Sequence, residues 1–568
     1  MKKQIFSVAV VFLCAASAQG HVWDELATLA RPNAEGTFDL ERYNFIQPTT
    51  YTNSIFLDFN NDGQLDLLVM GQGGDWNIPS SQKFVLLYRN LGPTENYRFE
   101  RVPDTGLRQA CDEGYFNPVS AGDFNHDGYT DLLMMTNDGT RNVELYLNDR
   151  GTGRFTKAPL ALAGVSNGSV MLGDIDGDGW LDIEYTGSDD TTPAALKLYR
   201  NIGDGTVQDI SADGVTGASA GQSTLADLDG DGLLDIISFG TGDNGSRVAN
   251  IYYNTYPSWR KVEGADCGIL AASAANALVA DFNGDGFMDI VANGEADTGG
   301  YRTRIYYGAP DGNFTLDSTY PVIAVNQDGG INMGDWNGDG NMDLIVGGYL
   351  GNNDGDIPRY SAPLRVYENR PADTGNTRPE APASVKADFA DGKIIIEWTD
   401  GSDAESHTAA LRYNIYVKNE TTGELYTMIP ADIATGQLKV GTDLQTSLSS
   451  RVKRYEMTPL GSGDYTVGVQ SLDQSYAPSR FVTARIEGVT HSAISETVAD
   501  DSDIRVSLDG LDLTVDTATV AAVKVYTPDG RLAAAGSAPT IFSLPAAGLY
   551  LVSVTTPSAS KSMKIATR

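Results

Sequence analysis

The sequence predicts an all-β protein, a β-propeller of six blades followed by two smaller β-sandwiches, and three observations predict it. A nine-residue pattern, D-x-[DN]-x-D-G-x-x-D, starts at Asp58, Asp123, Asp174, Asp227, Asp281 and Asp335, the later copies 51 to 54 residues apart. Each copy runs into a short apolar segment, such as Leu67-Leu68-Val69-Met70 or Leu344-Ile345-Val346, too brief and too β-branched for an amphipathic helix. After Asn369 the repeat stops, and new strand patterns follow at sandwich-like separations.

The chain opens with Lys2 and Lys3, an apolar run from Ile5 to Ala15, and Ala16-Ser17-Ala18. That order of charge, apolar core and small residues predicts a cleavable secretory signal over residues 1–18 and an exported protein. Phe12 and Leu13 are too bulky before Cys14 for a lipid-anchoring site, and no other stretch approaches the roughly 20 apolar residues that span a bilayer. Forty basic against 75 acidic side chains give a net charge of −35. Such a charge repels nucleic acid and anionic membrane surfaces and favours cationic partners, calcium first among them. Cys111 and Cys267 fall in different repeats and read as two separate thiols.

Within the repeat region, residues 36–370, a second apolar segment ends in Tyr-x-Asn: Tyr88 and Asn90, Tyr146 and Asn148, Tyr199 and Asn201, Tyr252 and Asn254, Tyr367 and Asn369. The fifth copy has Gly308 after Tyr306. A turn then leads to Phe99, Phe155, Val207, Trp259 or Phe314, each opening another strand, so the unit has four strands. The last unit lacks its final strand, and Gly36-Thr37-Phe38 resembles the start of one. Pairing of Phe38 and its neighbours with the sixth unit is therefore expected to close the ring and remove exposed edges. Six blades follow, with seven as the alternative if the longer first interval hides an irregular one.

The nine-residue loop suits a hard divalent cation, which takes six to eight oxygens at about 2.3–2.6 Å. Position 1 supplies Asp58, Asp123, Asp174, Asp227, Asp281 and Asp335; position 3 supplies Asn60, Asn125, Asp176, Asp229, Asn283 and Asn337. Position 5 supplies Asp62, Asp127, Asp178, Asp231, Asp285 and Asp339; position 9 supplies Asp66, Asp131, Asp182, Asp235, Asp289 and Asp343. The main-chain carbonyl at position 7 completes the set, from Gln64, Tyr129, Trp180, Leu233, Phe287 and Asn341. Glycine at position 6 permits the sharp turn. Plain Asp/Gly turns would not gather three or four carboxylates against their mutual repulsion. An EF-hand would place a glutamate at position 12 between two helices, whereas an apolar strand follows here. About six calcium ions are expected.

These loops, with Asp-Phe-Asn-Gly-Asp-Gly at 281–286 as the cleanest copy, resemble the FG-GAP or VCBS-type repeats of bacterial secreted proteins and integrin α-subunit propellers. The resemblance implies calcium loops between the two innermost strands of each blade and ligands on the opposite face. A calcium motif in every repeat departs from the integrin pattern.

Residues 371–380, with Pro371 and Pro379, read as a linker. Residues 381–488, with Lys393-Ile394-Ile395-Ile396-Glu397-Trp398, Tyr413-Asn414-Ile415-Tyr416-Val417 and a late Tyr465, look like a fibronectin type III domain. A second polar linker covers 489–502. Residues 503–568, with Pro528-Asp529-Gly530 and Gly548-Leu549-Tyr550-Leu551-Val552, resemble the C-terminal sorting domain of type IX secretion substrates. That resemblance implies the secretion machinery as a partner and the surface or surroundings of a Gram-negative bacterium as the destination.

No catalytic constellation stands out. Gly164-Val165-Ser166-Asn167-Gly168 and Gly217-Ala218-Ser219-Ala220-Gly221 match a nucleophile elbow, but both fall at the same repeat position between strands. His21, His126, His407 and His491 are scattered. Asp75, Asp189, Asp190, Asp243 and Asp354, in loops expected opposite the calcium, are the carboxylates a glycosidase would use, and solvated loop acids are the simpler reading. The same loops carry Trp76, Asn77, Tyr349, Arg359 and Tyr360, suited to stacking on sugar or burying a protein hot spot. The expected role is adhesion or ligand capture, for glycan or surface protein, with a secreted polysaccharide-degrading enzyme as the alternative.

Overall fold

The computed structural model describes residues 23–28, 50–72, 83–95, 99–110, 117–189, 191–211, 214–297, 300–317, 331–335, 339–347, 364–369 and 376–490. In the last unit it describes the strands between 504 and 567 and residue 544. The described chain is almost entirely antiparallel β-structure. Each repeat folds as four strands in sequence order. The first repeat is Thr50–Leu57, Asp66–Gln72, Lys83–Asn90 and Phe99–Arg101, and the second is Val119–Gly122, Asp131–Asn137, Arg141–Asn148 and Phe155–Lys157. The third (Ser166–Gly173 to Val207–Asp209), fourth (Ser223–Ala226 to Trp259–Glu263) and fifth (Ala272–Ala280 to Phe314–Leu316) repeat the order. The fourth and fifth repeats are joined by pairing of Val248 with Ala272 and of Gly221 with Ala275.

The sixth sheet, Ile331–Gly334, Asp343–Gly347 and Leu364–Asn369, takes its outer strand from the start of the chain, but not from the segment the sequence suggested. Trp23–Thr28 pairs antiparallel with Leu364–Asn369, with Trp23 opposite Asn369 and Thr28 opposite Arg365. Phe38 and its neighbours lie outside the described residues. A three-residue likeness carries no pairing register, and the partner strands here are more than 300 residues apart.

The first strands of successive sheets lie side by side from the first repeat to the sixth. Apolar side chains fill the space between sheets, as where Phe124, Leu133 and Leu145 of the second repeat meet Val170, Ile183 and Tyr185 of the third. Polar pins reinforce these seams. At one end of the sheets the residue opening a third strand reaches the next repeat: Lys83 Nζ donates to Asn137 O (2.6 Å), Arg141 Nε to Ser166 Oγ (2.9 Å), and Arg247 pairs with Glu295 (2.7 Å) and Asp297. At the other end the Tyr-x-Asn asparagine reaches back. Asn148 Nδ2 donates to Phe59 O, Asn201 to Phe124 O, Asn254 to Ile175 O and Asn369 to Phe282 O, at 2.7–2.9 Å. The fifth repeat omits this pin because a β-carbon at Gly308 would fall 2.2 Å from Met288 O.

Residues 385–489 form a separate two-sheet unit, Val385–Ala390, Lys393–Trp398 and Arg454–Met457 against Arg412–Asn419, Gly463–Leu472, Val482–Val489 and Leu425–Thr427. Trp398, Tyr413, Ile415, Tyr465 and Val467 sit in its core. The segment before it is tied down rather than free, since Asn376 Nδ2 donates to Asp473 Oδ2 (2.7 Å). The last unit has its own pair of sheets and a core built on Leu513, Val515, Val523, Val525, Tyr550 and Val552. No helix among the described residues is long and apolar enough to cross a membrane.

Candidate metal centres in the repeat loops

Each nine-residue loop joins the first and second strands of its sheet. The loop is drawn shut by its own carboxylates. In the first copy Asp58 Oδ1 accepts Asp62 N (3.2 Å) and Asp58 Oδ2 accepts Gly63 N (2.7 Å), while Asp62 Oδ1 accepts Gln64 N (2.9 Å). The same pair of bonds from position 1 holds at Asp123, Asp174, Asp227, Asp281 and Asp335. Position 5 repeats its bond to the position 7 amide at Tyr129, Trp180, Leu233, Phe287 and Asn341. Asn60, Asn125, Asp176 and Asn283 at position 3 accept the position 5 amide, and Asn337 lies outside the described residues.

Position 9 is bound twice. Asp235 Oδ2 accepts Leu228 N (2.9 Å) and its Oδ1 accepts Asn254 N (2.7 Å), so one carboxylate ties the loop to the third strand. Asp66, Asp131, Asp182 and Asp289 do the same, and Asp343 accepts Asn369 N.

Two features escaped the sequence reading. Position 4, like position 6, is left-handed: φ is 58° at Asn61, 54° at His126, 76° at Gly177, 71° at Gly230 and 73° at Gly284. Asn and Gly are the residues that tolerate this geometry, so the signal was present at a position passed over. The role of the Tyr-x-Asn asparagine is the second, since its amide both caps its own loop and pins the preceding one.

In the third and fourth loops the carboxylate oxygens of Asp174, Asp176 and Asp182, and of Asp227, Asp229 and Asp235, converge to within 4.8 Å of one another. Burial, with the neighbouring aspartates, pushes Asp58 and Asp174 up to about 7 and Asp66 to about 8. Burial likewise pushes Asp227 to about 7, although the Arg412 guanidinium pulls it down. Crowded carboxylates out of water want a compensating charge. Part of it comes from arginine: Arg200 meets Asp176 (2.5 Å) and Asp178 (2.8 Å), Arg89 meets Asp62 (3.4 Å) and Arg451 meets Asp231 (3.2 Å). An all-oxygen cluster of carboxylates and amide carbonyls fits a hard cation, and these acidic groups could hold a metal ion.

The loop ends of all six repeats face the two-sheet unit. His126 is stacked on Trp180, ring centroids 3.7 Å apart, with Tyr455 of that unit on its other side at 4.4 Å, and Tyr129 donates to Glu424 Oε1 (3.0 Å).

Of the other candidate residues, Trp76, Asn77, Tyr349, Arg359, Tyr360, Asp75, Asp190, Asp354 and Cys111 lie outside the described residues. Asp189 accepts the amides of Thr191 and Thr192, and Asp243 accepts Ala194 N, so both carboxylates fasten turns. Ser166 lies in a strand, not a strand-to-helix turn, and a β-carbon at Gly168 would fall 2.0 Å from Thr186 O. Cys267 is a buried free thiol.

The fold and the loops together define an all-β repeat protein with acidic loops suited to a metal ion. Residues 58–134, 123–183, 227–292 and 281–346 each match the family model of the FG-GAP-like repeat, so the chain carries repeats of that kind. No curated protein matches it. Among solved structures it is similar to a fungal alcohol oxidase of the AA5 family in complex with copper (14% identity, 78% of this chain and 98% of that chain covered, TM-score 0.36). It is also similar to the extracellular domain of a putative hybrid two component system from B. thetaiotaomicron (11%, 76% and 50%, TM-score 0.31). A third is the catalytic domain of the Coprinopsis cinerea GH62 α-L-arabinofuranosidase (12%, 47% and 94%, TM-score 0.28). Likenesses at these TM-scores carry no functional argument.

Proposed function

We propose that the repeat region is a six-bladed propeller holding calcium in each of its loops, and that the chain is an exported adhesion or ligand-capture protein. The observation that carries the metal reading is the convergence of three carboxylates in the third loop and again in the fourth, two of each three being buried. Ring closure is supported from the opposite partner: Gln437 and Lys439, two residues apart, touch the sixth loop at Asp335 and the first at Gly63, so the last loop returns beside the first. In each loop positions 1, 3, 5 and 9 and the position 7 carbonyl would hold the ion, which supplies the charge that lets the carboxylates stay ionised when buried.

A binding role follows from what each face has left to offer. The loop face is covered by the two-sheet unit, which has the strand pattern of a fibronectin type III domain and serves as a spacer. Trp76, Asn77, Tyr349, Arg359 and Tyr360 are the side chains that would meet a glycan or a surface protein on the opposite face. Residues 503–568 would act as a type IX sorting signal that delivers the chain to the outer surface of a Gram-negative cell. Metal analysis of dialysed protein should return about six calcium ions per chain, and essentially none would sink the metal reading. Glycan and protein arrays run beside a reducing-sugar release assay should give retention without turnover. Turnover would replace adhesion with polysaccharide degradation.

A further inference from the structure

The two-sheet unit reaches the repeat loops chiefly through their backbone. Leu425 N donates to Asn61 O (3.1 Å) and Thr458 N to His126 O (2.9 Å), both carbonyls of left-handed position 4 residues. Lys439 Nζ donates to Gly63 O (2.7 Å) and Arg451 Nη2 to Asp231 O (2.8 Å). At the fifth loop Asp281 N donates to Gln474 O (2.9 Å) while Ser475 Oγ donates to Asp281 O (2.6 Å). Apolar contacts are interleaved, with Phe282 and Met333 of the repeats packed in one core with Ile429 and Leu472. The turn Leu444–Thr446 lies against the first strand of the third repeat. Buried Arg412 braces it, donating to Ser447 Oγ (2.8 Å) and Gln445 O (3.0 Å).

A docking surface made of loop carbonyls is only as well placed as the loops. Their turns are set by bonds from the position 1 and position 5 carboxylates to the amides of positions 5, 6 and 7. These are the same groups that would hold the metal. Emptied, the loop keeps three or four carboxyl groups within a few ångströms of one another, and repulsion among those that stay ionised spreads the loop. Spreading turns the carbonyls of positions 4, 5 and 6 away from Leu425, Thr458, Lys439 and Arg451.

We infer that the unit spanning 380–490 is a metal-linked lid, seated on the loop face while the loops are filled and loosened when they are emptied. The inference rests on the calcium reading above. By linkage the seated lid raises metal affinity by the same factor by which metal tightens the lid.

Hydrogen exchange on the full chain tests it, in about 1 mM calcium and again after chelation, with bound metal measured in both samples. The amides of Leu425 and Thr458 should exchange at least about ten-fold faster after chelation, while Val467 and Val469 in the core of the lid keep their protection. Unchanged exchange at Leu425 and Thr458 in loops shown to be emptied overturns the lid and leaves the calcium reading intact. Equal loss at Val467 and Val469 makes the effect one of global unfolding and also overturns it. Absence of bound metal before chelation overturns the calcium reading and the lid with it. The reciprocal arm uses Ala410→Phe, a neutral wedge, because Ala410 Cβ lies 3.3 Å from where a β-carbon at Gly230 would stand. It should weaken calcium binding several-fold with no change of charge, and a wild-type isotherm counts against the linkage.

Discussion

Asn254→Ala isolates the pin between neighbouring repeats. The Asn254 side chain donates to Ile175 O (2.7 Å) in the preceding loop and to Leu234 O (3.1 Å) in its own, and accepts Tyr256 N (3.0 Å). The residue is only 2% exposed, so water cannot replace these bonds. Leaving a buried polar group without its partner costs about 1–3 kcal/mol, and the two carbonyls weigh most, so the substitution should cost about 2–4 kcal/mol. Asn254→Asp keeps the shape but turns a carboxylate on both carbonyls, and should cost more than alanine. Neither change alters the bond from Asn254 N to Asp235, which is made by the backbone. Urea and thermal unfolding, followed by near-ultraviolet circular dichroism in saturating calcium, would read the difference. A loss below about 0.5 kcal/mol for the alanine variant, or an aspartate variant as stable as wild type, would refute the reasoning.

Three other outcomes are expected. If the loops bind calcium with the roughly 0.1 mM affinity of many extracellular sites, about 1 mM calcium stabilises by about 1.4 kcal/mol per site and about 8 kcal/mol for six, so chelation should lower the melting temperature steeply; scanning calorimetry decides it. Glu184 is fully buried with neither oxygen hydrogen-bonded, Ser223 giving its hydroxyl to Ser238, and burial pushes its carboxyl up to about 8. The other repeats place Leu68, Leu133, Ile237, Val291 and Ile345 there, so Glu184→Leu should stabilise by about 1–3 kcal/mol in denaturant melts. Glu144 is the opposite case. Although burial opposes its charge, bonds from Arg108, Lys157 and Tyr146 hold it down to about 2, below its ordinary 4.5. A depressed carboxyl stabilises above the unfolded value and loses that contribution as pH falls from about 4.5 toward 2. Glu144→Gln should therefore be less stable than wild type at pH 7, with the gap closing through that window in pH-resolved melts.

The sequence announced the local parts of this protein because they are written in adjacent residues. The odd-position acids, the position 6 glycine and the Tyr-x-Asn segment each repeat six or nearly six times, and within each copy they lie on three consecutive strands and their turns. Position 4 was equally legible, since Asn61, Gly177, Gly230 and Gly284 are the residue types that adopt the left-handed geometry found there, which His126 shares. The strand completing the sixth sheet was not legible. Trp23–Thr28 carries no repeat signature, and its pairing partner lies more than 300 residues away. The covering of the loops was hidden for the same reason: the atoms that meet Leu425, Thr458 and Arg451 are carbonyls, which every residue has.

The position 9 aspartate shows how one residue type serves both the fold and the site. Asp235 accepts an amide from position 2 of its loop and another from the end of the third strand, and it still turns an oxygen toward Asp227 and Asp229. A serine or asparagine could not accept from both amides while also contributing charge, so the position requires aspartate for geometry before any ion arrives. Position 5 differs, because Asp231 accepts one amide and is otherwise open to solvent and Arg451. The loops are thus preorganised by their least exposed carboxylates and charged by their more exposed ones. That division explains how acidic clusters can stand at one end of a β-scaffold without pulling its sheets apart.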